Sequence, residues 1–158
     1  MKLIDKEDLL KETREKFDKA KKELGFKSTF EDINEVFHID DYILSVGFAS
    51  ERFSRQMCSR MVDTYMSWLN YLQGLLFPNA GSIVSLSENK LMYEADKKDA
   101  GKMLSEIMAV ITTNSVLVIK PDKAMESKFI DEAVNYWNKS FKARATILIQ
   151  KINDGWRK

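Results

Sequence analysis

The chain has 158 residues, of which 44% are hydrophobic and 31% charged, and these proportions exclude wholesale disorder and suit one compact domain. Six glycines and two prolines are too few for a β-sandwich or barrel with many tight turns, and the formal net charge of +1 excludes a dedicated DNA-coating protein. We therefore expect a single, mainly α-helical domain over residues 1–158.

Two helices are predicted in the first 40 residues. Asp5 can cap the first helix, and Gly25 is placed to end it. Its apolar seam repeats every seven residues, as in coiled coils, at Leu3, Leu10, Phe17 and Leu24. The segment from Ser28 to Glu31 has the pattern of a capping box, which predicts a short second helix that ends at His38.

A central helix follows, and two alternatives for it stay open. Asp40 or Asp41 can cap it, and the helix then either continues through Gly47 or breaks there and restarts after Ser50. On a helical wheel, Ser50–Leu76 has a broad apolar face, which indicates burial among several neighbours. This face holds Phe53, Met57, Cys58, Met61, Tyr65, Trp68, Leu69, Leu72 and Leu75.

The stretch after the central helix is less regular. Two short apolar runs separated by polar residues in 82–94 predict a small β-hairpin, with an irregular loop as the alternative. Asp96, with Asp99 three residues later, can open a further helix. Residues 116–119 are either its last turn or a short strand, because periodicity does not separate the two over four residues. The inner face of this helix is predicted at Leu104, Ile107, Met108 and Ile111.

The final helix is predicted to start at Pro121 and Asp122 and to run almost to the C-terminus. About 35 residues at 1.5 Å per residue extend roughly 50 Å, which exceeds the diameter of a globule of this mass. Its apolar stripe comprises Phe129, Ala133, Trp137, Phe141, Ala145, Leu148, Ile152 and Trp156. Together these elements predict a bundle of four to six helices, with the hairpin near residues 82–94.

Acidic residues without any basic neighbour lie between Ser28 and Ala49, and clustered carboxylates can hold magnesium for phosphate chemistry. Within this segment, Glu35 and His38 lie at the end of the predicted second helix and have the Glu-x-x-His spacing of di-iron bundles. The candidate metal ligands are Glu31, Glu35, His38 and Asp41. Helix capping and solvation are the favoured interpretation, because di-iron bundles need the motif twice and the chain has one histidine.

Two groups of cations are candidates for binding nucleic acids or other anions. The first group shares one face of the central helix, where it can grip phosphates or pair with the acidic segment upstream: Arg52, Arg55 and Arg60. The second lies among the aromatic residues of the final helix: Lys139, Lys142 and Arg144. Mixed cations and aromatics are typical of nucleic-acid-binding surfaces, although cations near a helix C-terminus also complement its dipole.

Cysteine and histidine each occur once, which excludes most familiar metal sites. Cys58 allows neither an internal disulfide nor a thiolate zinc cluster within one chain, and its place on an apolar helix face predicts a buried residue. The first residues lack the apolar stretch of a signal peptide, and no apolar run reaches the roughly 20 residues that span a bilayer. We therefore expect a cytoplasmic protein without a cofactor and without membrane contact.

The sequence contains no glycine-rich phosphate loop, nucleophile elbow or zinc signature, and this favours a protein that is not an enzyme. The leading hypothesis is a helical interaction protein that forms a homodimer, because its two long amphipathic helices offer faces to a second copy or to another protein. One alternative is a nucleic-acid-binding protein that uses the basic C-terminal helix. Another is a magnesium-dependent phosphohydrolase that uses residues 31–41.

Overall fold

The computed structural model describes residues 4–158, and every regular element in that part of the chain is helical. The helices are α1 (Lys6–Leu24), α2 (Phe30–Phe37), α3 (Ile39–Val46), α4 (Phe53–Leu76), α5 (Ile83–Leu91), α6 (Glu94–Ile119), α7 (Lys123–Tyr136) and α8 (Lys142–Arg157). A π-helical turn, Trp137–Phe141, joins α7 to α8 without a break, so the described residues form seven separate helical rods. The mainly α prediction is confirmed, whereas the predicted count of four to six helices is too low.

The predicted β-hairpin at residues 82–94 is wrong, since this segment forms α5 and no strand occurs in the described part of the chain. Ser85 and Asn89 are residue types that are common in turns, but here their side chains form hydrogen bonds with carbonyl groups at the end of α4. Ser85 Oγ donates to the carbonyl of Gly74 at 2.5 Å, and Asn89 Nδ2 donates to the carbonyl of Leu75 at 2.6 Å. The last carbonyls of a helix have no partner within it, so these contacts hold α5 where its own sequence is ambiguous.

The first helix lies close to its predicted position. It follows Asp5, whose side chain makes no capping hydrogen bond although we predicted it as the cap, and it ends at Gly25, whose φ of +80° is the left-handed conformation that glycine adopts readily. The buried line begins at Leu9 rather than at the predicted Leu10, and Leu3 lies outside the described residues. The buried side chains of α1 are Leu9, Thr13, Phe17 and Ala20.

The capping box of α2 is shifted by one residue from the prediction. Thr29 is the N-cap: its Oγ1 accepts from the backbone N–H of Asp32 at 3.1 Å, and Asp32 Oδ2 accepts from the N–H of Thr29 at 2.9 Å. Ser28 instead donates its hydroxyl proton to Asp131 Oδ1 at 2.7 Å. A partner about 100 residues away in sequence therefore selects between two adjacent hydroxyl side chains.

His38 and Gly47 delimit α3. His38, with φ of +52°, ends α2 and directly precedes α3, so neither Asp40 nor Asp41 is the N-cap that we predicted. Both acids lie in the first turn of α3, where negative charge complements the helix dipole. Gly47, with φ of +83°, ends α3, and α4 starts at Phe53, which confirms the alternative in which the helix breaks.

The helices from α6 onward confirm the helical alternative for residues 116–119 and most of the apolar stripe predicted for the final helix. Residues 116–119 are the last turn of α6, not a strand. Asp122 caps α7 by accepting from the backbone N–H of Met125 at 2.8 Å. The stripe of α7 and α8 is buried except at Trp137, which is half-buried, and Trp156, which is exposed and donates to Glu88 at 2.9 Å. On α6, Ile107 and Ile111 are buried as predicted, Leu104 is half-buried and Met108 is exposed.

The helices form two compact units. The first contains the chain up to Thr64 together with Thr113–Val134, and the second contains Tyr65–Thr112 and Asn135–Lys158. The apolar face predicted for the central helix is buried, apart from a half-buried Trp68. Whether the chain behaves as one domain stays a prediction.

One described helix, α6, is long and apolar enough to cross a membrane by length and composition, with a mean hydropathy of 1.4 over its most apolar 18 residues. Of that stretch, 28% is buried. Glu106 and Asn114 interrupt its apolar residues, so no uninterrupted apolar run of membrane length occurs in the sequence. The expected lack of membrane contact stays a prediction.

Candidate functional site

The candidate site is a cavity of about 600 Å³ in the first unit, lined by α1 and by the N-terminal turns of α4 and α7. Its size is within the range of small-molecule sites, but most of its lining residues are charged, whereas such sites are usually apolar. Its basic residues are Lys16, Lys19, Arg52, Arg55 and Lys123. Its acidic residues are Glu12, Glu15, Glu23, Glu51, Asp122 and Glu126. We call this site the charged cavity.

Two buried atoms of the charged cavity have unused hydrogen-bonding capacity. The side chain of Glu126 is 8% exposed, and its Oε1 lies 3.6 Å from Nη1 of Arg55, which is too far for a hydrogen bond. Neither atom has a hydrogen-bond partner among the described residues. The other end of the guanidinium is held, because Nη2 of Arg55 donates to Oδ1 of Asn114 at 2.5 Å.

Lys16 serves a structural role in the charged cavity. Its Nζ lies 2.9 Å from Glu12 and 3.2 Å from Glu51, and it donates to the carbonyl of Ala49 at 2.6 Å. The hydrogen bond to Glu12 is the main reason that the pKa of Lys16 is raised. Lys16 is therefore charged at neutral pH, and its hydrogen bonds are already used within the protein.

Other charged side chains of the cavity have no side-chain partner in the part of the chain that the structure describes. They are of both signs: Lys19, Arg52 and Lys123 are basic, and Glu15 and Glu23 are acidic. The cavity therefore offers both free cations and free carboxylates to anything that enters it.

Cys58 is fully buried on α4, as its place on the apolar face predicted. Burial above all, together with the carboxylate of Glu126 and against the opposing charge of Arg55, raises the pKa of the Cys58 thiol to about 12. A thiol with this pKa is protonated at neutral pH and is not a nucleophile. Cys58 is therefore part of the core.

A depression of about 450 Å³ lies beside the charged cavity in the first unit and shares Arg52, Arg55 and Pro121 with it. Its apolar lining residues are Tyr42, Phe48, Leu117 and Val118, and we call this depression the apolar groove. Phe48 is 55% exposed and Val118 is 66% exposed. Ile119, which follows Val118, is 85% exposed.

The arginines predicted on α4 are differently placed. Arg60 donates from Nε to the carbonyl of Phe37 at 2.8 Å, and its guanidinium lies 5.5 Å from the centre of the Tyr42 ring. Arg55 binds Asn114 as described above. Arg52 is exposed, and its guanidinium has no partner among residues 4–158. Only Arg52 of this group therefore keeps its guanidinium free.

The basic residues predicted on the final helix also differ. In the second unit, Arg144 lies 2.6 Å from Asp99 and 2.7 Å from Glu106, both on α6, and it donates to Ser140 at 3.0 Å. The hydrogen bonds to the two carboxylates, that to Asp99 above all, raise the pKa of Arg144. Lys139 and Lys142 are exposed, and their side chains have no partner in the described chain. Arg144 is thus neutralised by carboxylates, whereas the two lysines are available to a ligand.

The second unit also contains an aromatic cluster around the π-helical turn. The ring centroid of Phe141 lies 5.1 Å from that of Trp137 and 5.3 Å from that of Trp68. A pocket of about 290 Å³ opens beside these three rings. Tyr136, which precedes the turn, donates its hydroxyl proton to Glu106 at 2.8 Å. Arg144 and Tyr136 therefore share one carboxylate beside the π-helical turn, which fixes this region of the unit.

The candidate metal ligands do not come together. Glu31 pairs with Arg14 at 2.8 Å, and Glu35, His38 and Asp41 are exposed. The left-handed backbone of His38 ends α2, so Glu35 and His38 do not share a helix face as their spacing suggested. In the described part of the chain, no three His, Cys, Asp or Glu side chains are grouped to hold a metal ion.

Sequence reasoning named Arg55 as a candidate but missed its buried partner Glu126, although a signal for Glu126 was present. Glu126 lies three residues before Phe129 and seven before Ala133, so it extends the apolar stripe of the final helix by one turn. Asn114 lies between the buried Ile111 and Leu117 on α6. A polar residue on an apolar helix face was the available signal, whereas nothing in the sequence singled out Lys16 or Lys123.

The chain matches no family model, no curated protein and no solved structure. The functional proposals therefore depend on the physical features of the two depressions in the first unit.

Proposed function

We propose that the protein is a non-enzymatic, cytoplasmic interaction protein that forms a homodimer through the apolar groove. The observation that carries this proposal is that Phe48 and Val118, which are 55% and 66% exposed, line one groove, and that Ile119, the next residue after Val118, is 85% exposed. Burying apolar surface is the main favourable term in protein association, and exposed apolar patches commonly mark interaction sites. Covering these side chains is therefore expected to favour dimer formation.

We propose a second copy of the chain as the partner of this surface. A twofold axis brings the same surface of both copies together, so the surface must contain both a depression and something that projects. The apolar groove is the depression, and we propose as the projecting side chain Ile119, which follows the groove residue Val118 and is 85% exposed. The net charge of +1 causes little repulsion between copies.

Charge also supports self-association at the groove. Arg52 lines the groove, and its guanidinium has no partner in the described chain. Asp41, adjacent to the groove residue Tyr42, is exposed and likewise has no partner there. Across a twofold axis, each Arg52 can pair with an acid of the other copy, which favours one register of the two surfaces.

The alternatives receive less support from the contacts. Nucleic-acid binding retains Lys139 and Lys142, whereas Arg60 and Arg144 donate within the protein. A magnesium-dependent hydrolase requires acids that converge, and Glu31 is paired with Arg14 instead. Steeply salt-dependent binding of an oligonucleotide, lost when both lysines are changed to alanine, would favour the first alternative.

The mass in solution tests the dimer. For wild type, we expect light scattering to give twice the chain mass of 18.3 kDa, with dissociation on dilution. Val118→Glu places a charge in the interface and is expected to weaken the dimer by at least about tenfold, as unpaired buried charge costs more than 1.4 kcal/mol. The matched control is Ile147→Glu, which alters a residue of α8 that is 71% exposed and lies outside the groove.

Both variants change exposed positions, so unchanged helix content by circular dichroism is expected and separates dissociation from unfolding. A wild-type protein that stays monomeric at every concentration overturns the proposal. So does a result in which Ile147→Glu weakens the dimer as much as Val118→Glu does.

A further inference from the structure

The buried pair in the charged cavity needs two kinds of hydrogen-bonding group. Oε1 of Glu126 can only accept while the carboxylate is ionised, and Nη1 of Arg55 can only donate. They form an ion pair at 3.6 Å, which is too long for a hydrogen bond, and neither atom has a hydrogen-bond partner among the described residues. Buried polar groups are almost always hydrogen-bonded. A ligand that satisfies both atoms must present a donor to Glu126 and an acceptor to Arg55.

The unpaired charges of the cavity narrow the class of ligand. Lys19, Arg52 and Lys123 attract an anionic group, but Glu15 and Glu23 repel it. A simple anion such as phosphate satisfies only the cations, and a metal ion or an amine satisfies only the carboxylates. A molecule that carries one charge of each sign satisfies both sets.

Helix α4 and helix α7 both begin at the cavity. Their N-termini indicate where the negatively charged group of such a molecule would bind. The N-terminus of a helix carries partial positive charge and stabilises anions. Arg52 and Arg55 lie at the start of α4, and Lys123 lies at the start of α7. A carboxylate is therefore favoured beside these three side chains.

We propose that the charged cavity binds a free amino acid, with its ammonium group donating to Glu126 and its carboxylate accepting from Arg55. The volume of about 600 Å³ leaves room for a side chain, and the apolar lining residues Ala20, Leu24 and Phe53 can contact its carbon atoms. This ligand site adjoins the proposed dimer surface, with which it shares Arg52, Arg55 and Pro121, and it goes beyond the proposed function.

Titration of the full-length chain with each of the twenty free amino acids tests the proposal, using calorimetry and the thermal unfolding midpoint. We expect at least one to bind with a Kd below about 1 mM and to raise the midpoint, as any ligand of the native state does. Acetate and butylamine are the probes with one charge only, and neither is expected to bind. Equal binding of acetate or of butylamine overturns the assignment, and so does the absence of binding by all twenty.

Variants locate the site. Glu126→Gln keeps the shape of the side chain but removes its charge, and we expect it to weaken amino-acid binding by at least about tenfold. The matched control is Glu132→Gln on the same helix, at an exposed position outside the cavity, and it should leave the Kd unchanged. Unchanged binding to Glu126→Gln that is folded by circular dichroism overturns the proposal.

The variant Val118→Glu tests amino-acid binding independently of the proposed homodimer. Val118→Glu alters the apolar groove but not the lining of the charged cavity, so it is expected to retain amino-acid binding when the dimer is weakened. Loss of binding in this variant would contradict a site formed by one copy.

Discussion

Asp131 shows at the scale of one residue how the first unit is held. Its carboxylate accepts from the backbone N–H of Lys27 at 2.9 Å, from the N–H of Ser28 at 2.9 Å and from the hydroxyl of Ser28 at 2.7 Å. These contacts fasten α7 to the segment that joins α1 and α2. Hydrogen bonds to a charged group are among the stronger ones in proteins, so this carboxylate contributes more than an exposed ion pair does.

We expect Asp131→Asn to lower the free energy of unfolding by about 1–3 kcal/mol, because the amide presents one acceptor oxygen where the carboxylate presented two. Urea unfolding measures the loss. The neighbouring exposed change, Glu132→Gln, is the control and should stay within about 0.5 kcal/mol of wild type. Equal stability of Asp131→Asn and Glu132→Gln would show that the contacts of Asp131 contribute little.

The pKa of the Asp131 carboxylate determines how its contribution to the free energy of unfolding depends on pH. Burial raises the pKa of Asp131, but the hydrogen bonds from Ser28 and from the backbone of Lys27 and Ser28 lower it more, so the net shift is downward. A lowered pKa in the folded state means that the stabilisation is complete above the unfolded pKa and is lost as pH falls through the folded value. The difference between wild type and Asp131→Asn should therefore be full at neutral pH and shrink below about pH 4.

Two helical glycines allow a comparison at the scale of the element. A Cβ added at Gly101 in α6 meets no heavy atom within 4 Å, whereas one added at Gly155 in α8 lies 2.6 Å from Cδ1 of Leu91. Alanine is the better helix former by about 0.5–1 kcal/mol, which is available only where the methyl group fits. The position of α8 against Leu91 of α5 therefore depends on the absence of a side chain at Gly155.

Gly101→Ala is expected to raise the thermal midpoint by about 2–4 °C, because it gains helix propensity without a clash. Gly155→Ala should give a smaller gain or a loss, since Leu91 has to move. Melting curves followed by circular dichroism measure both. If Gly155→Ala stabilises as much as Gly101→Ala, the contact with Leu91 is not close in solution.

At the scale of the whole molecule, the tryptophans report on one unit. Trp68, Trp137 and Trp156 are the three tryptophans of the chain, and all belong to the second unit. Tryptophan fluorescence thus follows the unfolding of the second unit, whereas circular dichroism follows the helices of both. The two signals can therefore test the prediction that residues 1–158 form a single domain.

Because a single domain unfolds as one cooperative unit, we expect the urea transitions seen by fluorescence and by circular dichroism to coincide. Ile33→Ala, a fully buried change in the first unit, should lower both midpoints together, at a cost of about 2–5 kcal/mol. Two different midpoints for the two signals would identify two domains. So would a fluorescence midpoint that is the same in Ile33→Ala as in wild type.

Features that depend on a few neighbouring residues were predictable. Gly25 ends α1 because its positive φ suits glycine, and Asp122 starts α7 because its carboxylate accepts from a backbone N–H three residues later. The apolar faces of α4 and of the final helix followed from periodicity alone. In each of these cases the interaction that forms the element lies within one or two turns of the chain.

Features that depend on distant residues were not predictable in the same way. α5 was predicted as a hairpin because its stabilising partners are carbonyl groups at the end of α4. Arg144 was a candidate for anion binding until Asp99 and Glu106, about 40 residues earlier, were found to neutralise it. The charged cavity combines α1, α4 and α7, so its existence depended on how those helices meet.

The amino-acid sequence was thus sufficient for the helical class, for several helix ends and for most of the buried faces, because backbone geometry and periodicity act locally. The pairing of charges, and hence the identity of those left free for a ligand or a second copy, was determined by contacts between distant segments. Glu126 illustrates both levels, since its place on an apolar stripe was visible in the sequence, whereas its position opposite Arg55 needed the folded chain.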